Sequence, residues 1–266
     1  MVGDDMHDGE RGAGSPDASR AEVAGATQHV DQSGRPLGPR ALQTRQRILE
    51  TTVDLLEEKA MRDLRVIDIA RRIGTSPATF YQYFKDVEDV VLYLATEASE
   101  ETPRIVDLIE GSWRGRAGHE RARRLADLVI QHWERYAPIL RVRNNAADEG
   151  DDRFRRVRLR AMMPIVYAFE NAIRRAHDEA EKAEAAEEGA EEGAEEEAER
   201  SDETTPVEEE EWRGGRVDPT AGATALTSLL ERLAMYHAAI KQLGGSREDL
   251  VETAATMIQA TLTSRR

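Results

Sequence analysis

The chain is 266 residues long, enough for two domains or for one domain with tails, and it contains no cysteine. Disulfides, thiolate metal sites and cysteine nucleophiles are thereby excluded. Its formal net charge of −15 is concentrated in one place: between positions 178 and 211, eighteen acidic residues face only Lys182 and Arg200, a net of −16. The remainder of the chain is therefore at +1, and the stretch 35–85, with ten basic and six acidic residues, is at +4. A basic stretch in an acidic chain keeps nucleic acid open as a partner. Hydrophobic residues make up 39% and aromatic residues 5%, which suits an all-α protein with aliphatic cores, and no apolar run approaches the roughly eighteen residues of a membrane helix.

Residues 1–40 are rich in Gly, Asp, Ser, Pro and Gln without an apolar period, and read as a disordered tail. The opening MVGDDMHDGERGAG lacks the apolar core of a secretory signal, which fits a cytoplasmic protein. Arg35 and Arg40, followed by Arg45 and Arg47, make a basic arm of the kind that touches a phosphate backbone or minor groove. The alternative is a solvated tail that touches nothing.

A first domain is expected over 41–87. TRQRILETTVDLLEEKA forms a helix with Ile48, Val53, Leu55 and Leu56 on its buried stripe. VIDIARRIGTSPATFYQYF, residues 66–84, then reads as a short helix, a turn and a second short helix. Val66, Ile69, Ala70 and Ile73 recur at helical spacing, and Gly74 can take the left-handed conformation that ends a helix. Ser76 is a good N-cap, and Pro77 sits at the first helical position, where its missing N–H costs nothing. Phe80 and Phe84, four apart, can pack back on Ile69 and Ile73, leaving Thr79, Gln82 and the Tyr81 and Tyr83 hydroxyls outward. Two short helices joined by a glycine turn are the pattern of the DNA-binding helix-turn-helix; an ordinary helical hairpin of a bundle shares the same periodicity.

The second domain, 88–266, opens with a helix carrying Val90, Val91, Leu92 and Leu94. Further helices are expected over 104–110, over 119–136 with a stop at Ala137 and Pro138, and over 153–181 with a kink at Pro164. Between the last two lies a turn at 148–151. Residues 180–212 are almost single-signed. Like charges four apart and interspersed glycines argue against a helix, so this segment reads as a disordered acidic insertion. It is either an inert linker or a competitor of DNA for a basic face. Asp218 and Pro219 then open a helix that runs to Gly244 and Gly245, and Ser246 caps a last one.

Nothing here assembles a catalytic or metal site. The six histidines form no close pair, and neither a glycine-rich phosphate loop nor a G-x-S-x-G elbow is present. The expectation is a non-enzyme with no cofactor, no metal and no membrane partner.

TRQRILETTVDLLEEKA, VIDIARRIGTS, PATFYQYF and KDVEDVVLYL, in this order and spacing, closely resemble the DNA-binding domain of the TetR family of transcriptional regulators over 44–91. The chain departs from the family pattern at Val87, where a lysine is usual, and at Leu64, where a threonine is usual; Lys85 takes over the first contact, and Asp63 or Arg65 the second. The resemblance implies a homodimeric repressor, bound to a palindromic double-stranded operator and released by a small, mostly hydrophobic effector. The DNA-contacting residues it implies are Arg45, Arg65, Thr75, Ser76, Pro77, Ala78, Thr79, Tyr81, Gln82, Tyr83 and Lys85. Pro77 and Ala78 offer apolar contact, Thr79 a hydrogen bond, Gln82 a contact to adenine or backbone, and the two tyrosines phosphate contacts. The last two helices would pair with their copies through Leu226, Leu229, Leu233, Leu250, Met257 and Ile258. Trp113, Trp133, Tyr136, Phe154, Met162, Met163, Tyr167, Phe169 and Tyr236 fall where the family encloses its small-molecule cavity, although the same residues at helical spacing also make plain core. A rival reading is a helical protein-interaction module that uses its acidic loop and carries a degenerate DNA head.

Overall fold

The computed structural model describes Gln32, residues 34–195 and residues 217–263, and among these no residue lies in a strand. The chain is all-α, as expected. It separates into two compact units: one takes the residues up to Thr51 together with Arg65–Asp86, the other Thr52–Leu64 and everything from Val87 onward.

In the first unit, α1 (Pro39–Glu58) contributes its residues up to Thr51, and its opening proline needs no intrahelical donor. Helix α2 (Val66–Arg72) and the four-residue α3 (Pro77–Phe80) follow. The buried hydrophobic side chains are Ile48, Leu49, Ile69, Ala70, Ile73, Phe80 and Phe84, so the two phenylalanines face inward at a centroid separation of 6.1 Å. Of the stripe expected on α1, Val53 and Leu56 are only half-buried. The end of the expected tail is tied down: the Gln32 backbone N–H donates to the Gln82 carbonyl at 3.0 Å, and its side-chain amide to the Tyr83 carbonyl at 3.4 Å. Residues 1–31 lie outside the described residues.

The second unit comprises the 3-10 turn Met61–Asp63, α4 (Val87–Ser99), α5 (Thr102–Ile109), α6 (Gly115–Asp148), α7 (Asp152–Glu195), α8 (Pro219–Tyr236), the 3-10 stretch His237–Leu243 and α9 (Arg247–Thr263). Helices α6, α7, α8 and α9 pack around one core that includes Leu125, Trp133, Phe169, Ile173, Leu226 and Ile258. Gly222 permits the close approach of α8 to α7, since a Cβ there would fall 3.0 Å from Ile173 Cδ1 and 2.5 Å from Val217 Cγ1. At the α6–α7 corner Gly150 has φ +102°, and the Asp151 carboxylate accepts the Arg153 backbone N–H at 2.8 Å. The Arg153 guanidinium and this backbone bond hold the Asp151 carboxyl down at about 2.

Two expectations need correction. Pro138 does not end a helix but lies inside α6. Ile130 and Trp133 before it, and Ile139, Leu140, Arg143 and Asn144 after it, are all buried, and this packing on both sides outweighs the roughly 3 kcal/mol that an interior proline costs. The acidic segment does not begin as coil at 180: α7 continues to Glu195. Its packed first half removes the nucleation cost, and Ala and Glu are strong helix formers, so propagation outweighs the few tenths of a kcal/mol of each like-charge pair. Residues 196–212 lie outside the described residues.

Candidate nucleic-acid interface

The turn between α2 and α3 is fixed by its ends. Asp68 accepts the Arg65 backbone N–H at 3.1 Å and so closes the start of α2. At the other end, Arg47 reaches from α1 and donates from Nη2 to the Ile73 carbonyl at 2.7 Å, satisfying a helix-end acceptor. Gly74 then turns the chain at φ +71°, with nothing within 4 Å of where a Cβ would stand; conformation, not space, demands the glycine there. Ser76 Oγ accepts the Thr79 backbone N–H at 3.3 Å and lies 3.1 Å from Thr79 Oγ1. With Pro77 at the first helical position, this holds the one-turn α3 in place.

What this turn presents is polar and open. Ser76, Pro77, Ala78, Gln82, Lys85 and Arg65 are exposed, Tyr81 keeps 52% of its surface, and Thr75, Thr79 and Tyr83 are half-buried. Thr75, Thr79 and Tyr83 share a shallow groove of about 470 Å³ with Arg40, Thr44 and Arg47 of α1. Arg40 and Arg47 belong to the basic arm expected to touch the phosphate backbone, and Thr44 was not expected there. The signal for Thr44 was available, because positions 40, 44 and 47 fall on one helical face.

Arg45 departs from expectation. It is 9% exposed, with its guanidinium 5.0 Å from the centroid of the Phe84 ring, a cation–π contact that ties α1 to the end of the helix-turn-helix. Its role is packing, so the expected phosphate contact does not fit it. Leu64 and Val87, the two departures from the family pattern, are 6% and 8% exposed and serve as core.

In the second unit a cavity of about 80 Å³ opens among α4, α5, α6, α7 and α8. Of the nine expected pocket residues, Trp133 and Met162 line it. Trp113, Phe154 and Phe169 are buried but are not in its wall, while Tyr167 and Tyr236 are 55% and 56% exposed. Tyr136 and Met163 are half-buried and do not line it either. The cavity is mostly apolar, and it also has a charged pole formed by Arg143 and Glu231. The sequence reading does not reach this pole, because Arg143 lies past Pro138, outside the helices expected there. Glu231 accepts from Asn144 Nδ2 at 2.9 Å and from Arg158 Nη2 at 3.1 Å, while Arg143 Nη2 stays 3.7 Å from it. Burial lowers the Arg143 guanidinium to about 10, with Glu231 opposing the shift and Arg158 adding to it, so it remains charged at neutral pH. His132, also on the wall, is pushed below its ordinary value by burial, against the pull of Glu101. Among the described residues, no three His, Cys, Asp or Glu side chains converge to hold a metal ion, and no helix is long and apolar enough to cross a membrane.

The expected dimer residues divide. Leu226, Leu250 and Ile258 are 3%, 9% and 0% exposed in the core of their own protomer, so they are not available to a partner. Met257 is 48% exposed, and Leu229 and Leu233 are half-buried. An apolar stripe wide enough to serve two faces was read as one face.

The family model described as "Bacterial regulatory proteins, tetR family" matches residues 48–94, and the model "Tetracyclin repressor-like, C-terminal domain" matches residues 105–195. No curated protein matches the chain in sequence. Among solved structures, the fold is similar to a TetR-family transcriptional regulator from Syntrophomonas wolfei str. Goettingen, at a TM-score of 0.51 and 15% identity, covering 83% of this chain and 95% of that one. It is also similar to the fatty acid degradation regulator FadR from Bacillus halodurans, at a TM-score of 0.50 and 16% identity, covering 87% of this chain and all of the other.

Proposed function

The chain belongs to the TetR family, a DNA-binding transcriptional regulator and not an enzyme, and from that premise we propose that it is a homodimeric repressor released from a palindromic operator by a small molecule. One observation carries the reading: the open first turn of α3 stands beside a groove whose wall includes Arg40, Thr44 and Arg47. The groove receives a phosphate, and the turn meets base edges. Pro77 and Ala78 touch thymine methyls, Thr79 and Gln82 donate to acceptors, and Tyr81 and Tyr83 bind phosphates, with Thr75, Ser76, Arg65 and Lys85 flanking them. No arginine stands between Ser76 and Tyr83, which fits modest direct readout supported by backbone contacts.

The two copies meet through α8 and α9 in a four-helix arrangement, using Met257 and Tyr236 with the outer parts of Leu229 and Leu233. Two heads on a two-fold axis require half-sites about one helical turn apart, roughly 34–36 Å, or a multiple of it. The effector binds in the cavity of the second unit and releases the operator by favouring a state that the operator does not fit.

Fluorescence anisotropy with DNA from the protein's own upstream region, a scrambled duplex as control and two salt concentrations tests this. Selective binding that weakens steeply with salt and is lost in Thr79→Ala/Tyr81→Ala is expected. If neither that region nor a selection from random duplexes yields a sequence-selective complex, the reading fails.

A further inference from the structure

The charged pole of the cavity is incomplete. Arg143 is 5% exposed and lines the cavity, yet its only hydrogen bond among the described residues runs from Nε to Asn144 Oδ1 at 3.0 Å. Glu231 does not complete it. Asn144 and Arg158 occupy the two oxygens of that carboxylate at hydrogen-bond distance, and Arg143 Nη2 at 3.7 Å is too far to donate. The terminal nitrogens of this guanidinium therefore have no acceptor at hydrogen-bond distance among the described residues, and they are donors that a ligand oxygen can take. Trp133, also on the cavity wall and 3% exposed, leaves its indole N–H buried without a partner. On its inner side the pole sets two guanidiniums, Arg143 and Arg158, against the one carboxylate of Glu231, while Asp148, 2.8 Å from Arg158, lies on the outer side with 71% of its side chain exposed. The rest of the wall is mostly aliphatic, with Ile105, Val129, Leu140, Ile165 and Leu230, and carries the hydroxyls of Ser99, Thr102 and Thr227 and the His132 ring.

We infer that this cavity takes a monocarboxylate with an apolar body, its carboxylate paired with Arg143 and reached by the Trp133 N–H, and its hydrocarbon lying against the aliphatic wall. A carboxylate supplies two acceptors to a guanidinium fork, cancels the excess charge of the pole and leaves Glu231 in its existing bonds. An alcohol supplies one neutral acceptor and leaves the excess charge in place. An amine meets the wrong sign. The inference rests on the reading of the second unit as the effector-binding part of the molecule, and it specifies the effector's chemistry.

The test uses the full chain without DNA and three matched series, n-alkanoates, n-alkanols and n-alkylamines from butyl to decyl, titrated calorimetrically at neutral pH. At the best-fitting chain length the alkanoate should bind at least about tenfold more tightly than the alkanol, the difference expected of hydrogen bonds to a charged group. Arg143→Gln should abolish that preference while leaving alkanol affinity in place, and Trp133→Phe should reduce alkanoate affinity more than alkanol affinity. Equal alkanoate and alkanol affinities in the unaltered protein overturn the inference without recourse to any variant. So does a preference for the amine, or no binding by any series. Operator release is followed separately by anisotropy. An alkanoate that binds but leaves the operator complex intact supports the carboxylate site and removes the release mechanism instead.

Discussion

The two units are built by opposite means. In the first, two helices of seven and four residues are too short to persist by themselves, and their ends hold them: Asp68 and Arg47 for α2, Ser76 and Pro77 for α3, and Gly74 between them. In the second, α6 and α7 run 34 and 44 residues, each with a proline inside, and side-chain burial along their length decides their course. Local punctuation governs the first unit; long-range packing overrides punctuation in the second. Residues that look alike in sequence, such as Pro77 and Pro138, therefore have opposite weight.

The contrast can be broken most forcefully at Phe80, which is fully buried. Phe80→Ala should destabilise the first unit by about 3–5 kcal/mol and abolish operator binding, while the main calorimetric transition of the second unit persists. Pro164 gives the next effect and the opposite sign. It is exposed within α7, so Pro164→Ala restores a helical hydrogen bond without opening a cavity, and should stabilise the second unit by about 1–3 kcal/mol in chemical denaturation. A result near zero would mean that the helix has already adapted to the proline at little cost. Ser76→Ala removes the cap of a single-turn helix and should cost about 1 kcal/mol, with a drop in operator affinity larger than that figure alone explains, because α3 has no second turn to hold it. Thr is the conservative replacement that should restore it.

Asp151→Asn probes the same kind of capping bond at the start of a long helix and should be the mildest of the set. The Asp151 carboxyl is held below its ordinary value of about 3.9, so its contribution is fully present above that value and is lost as pH falls toward about 2. The variant should be less stable than the parent by several tenths of a kcal/mol at neutral pH, with the gap closing in acid unfolding curves and operator affinity unchanged throughout. An equal loss at all pH values would assign the effect to geometry, not charge.

The same contrast explains what was legible beforehand. The helix-turn-helix could be read because each of its determinants lies within a few residues of what it determines: Gly74 ends α2, Ser76 caps α3, and Phe80 and Phe84 share a face. Arg45 was misassigned because cation–π burial over Phe84 depends on a partner 39 positions away. Pro138 and the acidic run to Glu195 were misjudged for the converse reason: local rules predicted breaks, and packing elsewhere on the same helix carried it through. In the cavity, Trp133 and Met162 were reachable only through the family resemblance, since their helical spacing alone reads equally as plain core. The bonds from Asn144 and Arg158 to Glu231 are a tertiary fact, joining α6 and α7 to α8 across more than seventy positions.

The hydroxyls of Ser76 and Thr79 have a consequence for tolerance. They stand 3.1 Å apart, and either can be the donor to the other. One proton is taken up between them and one is left over. Rotation about two single bonds decides which residue keeps it, with no movement of the backbone. On the proposed reading the head therefore carries one mobile donor shared between two places, and it should follow an acceptor displaced by a base change or by a small shift of the duplex. An operator read in this way drifts in sequence more easily than one read by a fixed arginine fork, and a Thr79→Val replacement, which pins the remaining proton on Ser76, should narrow the set of duplexes recovered from a random pool.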